Sequence, residues 1–99
     1  MPTLSMRAEA AALERELRTL LGHDQVQARP YGQHLQIQMR HGERADTIAR
    51  LTELEHDRYT AAFRTHTGRW ESLPGQGTRT EMAELVVSLL QPYLVPDNY

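Results

Sequence analysis

The chain has no cysteine and no lysine, only 6% aromatic residues, and no long apolar run. The missing cysteine excludes disulfides, thiolate zinc sites and thiol nucleophiles. No apolar stretch approaches the roughly 18 residues of a membrane span. Residues 1–21 carry Arg7, Glu9, Glu14, Arg15, Glu16 and Arg18, too many charges for a secretory signal, so a cytoplasmic address and no membrane contact are expected. With lysine absent, every cation other than histidine and the N-terminus is a guanidinium, a planar fork that pairs bidentately with carboxylate or phosphate. A GC-rich coding sequence would leave lysine, Phe and Asn scarce, which is the expected origin of the deficit, with selection for arginine chemistry as the alternative. A net charge of -2 is not that of a protein drawn to nucleic acid by its overall field.

What is present is the length and balance of one domain. Ninety-nine residues, 39% apolar and 24% charged, suit a single folded unit over 1–99. Met6, Ala10, Leu13, Leu17 and Leu20 lie on one stripe of a first helix, with Leu21 beside it, Thr3 or Ser5 to cap its start and Gly22 to end it. Glu14 and Arg18 form an i,i+4 pair on its solvent side. At the other end, Thr78 and Glu81 have capping-box spacing, and Met82, Leu85, Val86, Leu89 and Tyr93 follow one helical face. Residues 95–99 read as a loose tail.

Between the helices the period changes to two. Val26 and Ala28 alternate with Gln25, Gln27 and Arg29 in a short strand that the Pro30, Tyr31, Gly32 turn stops. Leu35, Ile37 and Met39 alternate with His34, Gln36, Gln38 and Arg40. Tyr59, Ala61 and Phe63 alternate with Arg58, Thr60, Ala62 and Arg64, and residues 69–73 follow a Thr67-Gly68 turn. Residues 46–54 are ambiguous: Ile48, Leu51 and Leu54 are three apart, as on a helix, whereas Ala49 and Leu51 alternate with Ile48, Arg50 and Thr52, as in a strand. The segment is short for a helix and a hairpin-compatible Glu55, His56, Asp57 follows, so the strand is preferred.

These elements predict an α+β fold: a four- or five-stranded antiparallel meander with N- and C-terminal helices packed on one face. The opposite face then presents His34, Gln36, Gln38, Arg40, Arg50, Thr52, Arg58, Thr60 and Arg64, four arginines and no acid. Residues 25–73 carry seven arginines against six acids, but the acids fall mostly in turns. Ile48, Leu54 and Ala62 also point outward in this register, as an apolar patch, unless the third strand is bulged or shifted. The expected working surface is His34, Gln36, Gln38, Arg40, Ile48, Arg50, Arg58 and Arg64.

The function this predicts is that of a non-enzymatic interaction domain, joining a second copy as a homodimer through the open face or an edge strand, or binding another protein. Anion or nucleic-acid binding on the arginines is the alternative, though Tyr59 and Phe63 fall on the core face and leave only Trp70 for base stacking. A secretion-chaperone-like architecture follows if residues 46–54 are helical. His23, His41 and His66 with Asp24 come to one rim of the sheet and are weak metal-ligand candidates, lacking any HxH, HxxxH or HExxH spacing. No cofactor is expected. Ser5, Ser72 and Ser88 lack the glycines of a nucleophile elbow, Glu53 and Glu55 flank a turn, and Gly75-Gln76-Gly77 lacks the lysine of a phosphate loop.

The run Ile48-Ala49-Arg50-Leu51, then Arg58-Tyr59 leading to Ala61-Ala62-Phe63-Arg64, then Gly68-Arg69-Trp70-Glu71 and Leu73-Pro74, resembles small bacterial domains of unknown function with α-ββββ-α order. The resemblance covers about a quarter of the chain. It implies a strand at 46–54 and no activity.

Overall fold

A computed structural model describes residues 4–96. Helix α1 (Leu4–Leu21) leads into five strands, β1 (Val26–Tyr31), β2 (His34–His41), β3 (Arg44–Glu55), β4 (Arg58–Arg64) and β5 (Trp70–Ser72), and helix α2 (Arg79–Leu90) ends in a 3-10 turn, Gln91–Tyr93. The strands form one antiparallel sheet in the order β1-β2-β3-β4-β5. Residues 46–54 are therefore strand, and the architecture with a middle helix does not hold. The expected cap at Thr3 and the end of the expected tail, 97–99, lie outside the described residues.

Both helices lie on the face that carries Val26, Ala28, Leu35, Ile37, Met39, Ala49, Leu51, Tyr59 and Ala61, all buried. From α1 the core takes Met6, Ala10, Leu13 and Leu17; Leu20 is exposed instead, and Leu21 packs at the margin. Gly22 ends the helix at φ 74, where its amide donates to the Arg18 carbonyl, a left-handed conformation that side chains disfavour. From α2 the buried residues are Met82, Ala83, Val86 and Leu90, with Leu94 after the turn. The expected stripe is thus rotated: Leu85 packs at the margin while Leu89 and Tyr93 are exposed. The start of α2 is fixed by the capping box of Thr78 and Glu81 and is tied to α1 by the contacts of Arg79.

Those contacts tie three elements together. The Tyr59 hydroxyl donates to Glu9 Oε1 at 2.9 Å, Arg79 Nη1 donates to Glu9 Oε2 at 2.8 Å and Arg79 Nε to Glu16 Oε1 at 2.6 Å, and the Thr80 hydroxyl donates to Glu16 Oε2. Glu9 and Glu16 are seven residues apart, two helical turns, and so share one side of α1. Gly77 pairs with Tyr59 through two backbone hydrogen bonds, and a Cβ there would meet Glu81 Oε1 at 2.8 Å, so a larger residue would displace the Glu81 carboxylate that closes the capping box. At the other end of the sheet His23 accepts the Gln25 amide at Nδ1, which puts its ring proton on Nε2, 2.6 Å from the Leu94 carbonyl.

The Glu14 and Arg18 pair does more than lend helix stability. Glu14 Oε1 accepts the Ala28 amide at 3.0 Å and Arg18 Nε donates to the Val26 carbonyl at 2.9 Å, so α1 covers the free edge of β1 with side-chain hydrogen bonds. Pro30, expected to stop β1, sits inside it, because at the next outward position of an edge strand a missing N–H breaks no ladder bond.

Candidate functional site

The register sets which residues share the face away from the helices. Arg29, Gln36, Arg50, Ala62 and Ser72 form one row across all five strands. Tyr31, His34, Thr52 and Thr60 form the next row on one side, and Gln27, Gln38 and Thr47 the row on the other. Side-chain hydrogen bonds knit these rows: Gln27 Nε2 donates to Gln38 Oε1 at 2.7 Å, Gln38 Nε2 to Thr47 Oγ1 at 3.1 Å, and His34 Nδ1 lies 2.9 Å from Thr52 Oγ1. This ladder explains how Gln27, only 6% exposed, is accommodated without a charge or an apolar partner.

Arg50 occupies the middle of the face. Its guanidinium lies 4.2 Å from the centroid of the Trp70 ring, a stacked cation-π pair. Ala62, opposite Arg50 on β4, is small enough to leave room between the two. Arg50 Nε is buried without a hydrogen-bond partner among the described residues, a donor held away from water by the stacking.

The face is also electrically one-sided. Asp46, Glu53 and Glu71 are paired with Met39, Tyr59 and Phe63 and therefore point to the helix side. Arg29, Arg40, Arg50 and Arg64 point outward, and none has a carboxylate at ion-pair distance among the described residues. Of the arginines that do have one, Arg18, Arg44 and Arg79 lie elsewhere, and Arg58 sits at the far end of the β3–β4 hairpin opposite Glu55. Burial lowers the His34 pKa, and the nearby Arg50 charge lowers it further.

A pH dependence follows from that shift. A histidine whose folded pKa lies below its unfolded value gives the unfolded state more protons, so its share of stability is complete above about pH 6.5 and is lost as pH falls from there through the folded value. In an NMR titration Arg50→Gln should move the His34 midpoint upward, and a midpoint unmoved by that change would remove Arg50 as a cause.

Of the residues expected at the surface, His34, Gln36, Gln38, Arg40, Arg50 and Arg64 share the face. Arg58 is outward by register too, opposite Glu55, but at the far end of the β3–β4 hairpin, where its Nε donates to Gln76 Oε1 at 3.0 Å and its Nη1 is 3.9 Å from Glu55. Ile48 is the extra residue of a bulge, between Thr47 paired with Gln38 and Ala49 paired with Ile37, and packs against the core. Leu54 is skipped in a second bulge and is half exposed. The apolar patch expected from Ile48, Leu54 and Ala62 is not assembled. Gln27, Arg29, Tyr31 and Trp70 belong to the face as well; the alternation of Gln27 and Arg29 with Val26 and Ala28 already marks the first two, and continuing it through Pro30 finds Tyr31.

His23, His41 and His66 do lie at one end of the sheet, but they do not converge. His23 is engaged with Leu94 and Gln25, His41 Nε2 is 3.5 Å from Asp46, and His66 is exposed in the β4–β5 turn. Among the described residues no three acid or histidine side chains group as metal ligands. The Gly75 to Gly77 loop has no vacant amides for a phosphate at its end, since the Gly77 amide donates to Tyr59 and the Thr78 amide to Glu81 Oε1. Among the described residues no helix is long and apolar enough to cross a membrane. No protein-family model, curated protein or solved structure matches the chain.

Proposed function

We propose that this chain is a non-enzymatic interaction domain whose outer sheet face docks on an acidic protein surface. The observation that carries the proposal is the segregation of charge: Arg29, Arg40, Arg50 and Arg64 point outward with no carboxylate partner among the described residues, while Asp46, Glu53 and Glu71 face the helices and Glu55, outward by register, pairs with Arg58 at the end of the β3–β4 hairpin. Guanidinium groups on a rigid sheet, one of them oriented by Trp70, are suited to carboxylates, which they bind in a planar fork. A second copy laid face to face is a poorer occupant, because a twofold contact would set unpaired arginines against unpaired arginines. Nucleic acid is also a poorer fit. The aromatics of this face, Tyr31 and Trp70, are on opposite edge strands, about 19 Å apart at the usual strand spacing, and Arg50 covers the Trp70 ring, so successive bases find no stacking platform.

The test is an NMR titration of the whole chain with a short oligoglutamate peptide and, separately, with an oligodeoxythymidylate of equal charge. Expected are peptide-induced shifts centred on Arg29, Gln36, Arg50 and the Trp70 indole, weakening as salt is raised. Shifts confined to the helices, or none, contradict the proposal. Tighter binding of the oligonucleotide at the same residues would make nucleic acid the partner instead.

A further inference from the structure

The two edges of the sheet are treated differently. On β1 the outward amide of Ala28 and the outward carbonyl of Val26 are taken by Glu14 and Arg18, and Pro30 has no N–H to offer. On β5 no comparable cover is found among the described residues. The Thr65 amide donates to the Arg69 carbonyl and the Leu73 amide to the Ala61 carbonyl, so the odd-numbered residues turn their backbone toward β4. Trp70 and Ser72 therefore turn their N–H and C=O groups to the open side, where no further strand lies among the described residues. An edge left unpaired in this way is a template for another strand.

We infer that two copies of this chain pair antiparallel through β5, with Trp70 of one copy opposite Trp70 of the other on the twofold axis. The choice of register follows from backbone parity and charge. Outward groups can meet with Trp70 opposite Trp70, with Trp70 opposite Ser72, or with Ser72 opposite Ser72. The second sets Glu71 against Glu71, and the third brings Pro74, which lacks an N–H, opposite Trp70. The first sets Arg69 of each copy against Glu71 of the other, two opposite-charge cross-strand pairs. Both side chains are exposed and have no ion pair within their own copy among the described residues. The pairing continues the sheet across the axis and joins the two arginine-bearing faces into one surface. Because β5 is only three residues long, the contact is small and the dimer is weak and concentration-dependent.

The inference does not rest on what the outer face binds, and its test keeps the two apart. Sedimentation velocity of the full chain over a concentration series should show a monomer-dimer equilibrium. Arg69→Glu and Glu71→Arg should each weaken it about tenfold, since each turns both attractive pairs into repulsive ones, and the double exchange should restore it to within about threefold. Ser72→Pro removes an outward N–H that the β4 ladder does not use, so it should abolish the dimer while the monomer keeps its thermal midpoint. Arg69 and Glu71 have the helix-side parity of β5, so oligoglutamate binding per copy should change less than about twofold in Arg69→Glu; failure of the dimer thus leaves the outer-face proposal standing and the reverse. A single-copy mass even at millimolar protein overturns the inference, as does a dimer that the double exchange fails to restore or that Ser72→Pro leaves intact.

Discussion

Truncating Tyr59 to alanine should lower the stability of the domain by about 4 kcal/mol, the scale of a large aromatic removed from a packed core. The side chain has no exposed surface, and its strand sits where α1, α2 and the Gly77 segment converge on the sheet. An ordinary domain has only about 5–15 kcal/mol in hand, so the variant should sit close to unfolding. Tyr59→Phe separates the two contributions. It keeps the ring and removes only the hydrogen bond to Glu9, which should cost about 1–2 kcal/mol because an acceptor on a partly buried carboxylate is left unsatisfied. Burial, then the Glu9 hydrogen bond and charge, push the Tyr59 pKa above the ordinary tyrosine range. The folded state thus holds a proton that the unfolded state releases, and the Tyr59 contribution should fall as pH rises past about 10. Urea unfolding of the two variants, and of wild type at alkaline pH, checks these expectations.

Arg79→Ala should be the next most damaging change, at about 2–3 kcal/mol, an amount set by the unpaired charges it leaves behind. Arg79 opens α2, a position where the helix dipole disfavours a cation, so its presence there has to be explained by its partners. Those are Glu9 and Glu16, each with roughly a quarter of its side chain exposed, at 2.8 and 2.6 Å. Burial works against the charged guanidinium, but the hydrogen bonds and charges of Glu16 and Glu9 outweigh it and raise the Arg79 pKa. Without Arg79 two carboxylates remain on one side of α1 with no cation between them, and leaving a charge unpaired is more damaging than the net contribution of the pair; partial exposure keeps the loss below that of a fully buried pair. Arg79→Lys should recover only part, since an ammonium cannot address both acids as a fork does. A triple variant combining Arg79→Met, Glu9→Gln and Glu16→Gln removes all three charges together and should be less damaging than Arg79→Ala alone. If urea unfolding finds the two equally unstable, the unpaired-charge explanation fails.

Strands β2 and β4 are legible in the sequence to their ends because the period of two runs through them unbroken, and the capping box marks the start of α2. Strand β3 looks helical for a physical reason: it contains two bulges, and each extra residue shifts the alternation, so Ile48, Leu51 and Leu54 acquire a spacing of three. The same bulges remove Ile48 and Leu54 from the expected surface. Pro30 hides Tyr31, because whether a proline ends a strand or lies on its free edge depends on a neighbour that the sequence does not name. Arg79 meets Glu9 and Glu16 across most of the chain length. The only local trace of that meeting is two acids seven apart beside a buried stripe. Likewise Glu14 and Arg18 read as a surface ion pair, though their main partners are the backbone groups of β1.

On the proposed reading, acidic partners are bound by one face of the sheet and not by the overall charge. Arg50→Glu and Arg15→Glu change the net charge equally, one in the middle of the outer face and one on the exposed side of α1. Binding of oligoglutamate, followed through the emission of Trp70, the single tryptophan, should weaken about tenfold or more in the first and less than about twofold in the second. Equal losses in both variants would make net charge, and not the outer face, the source of binding.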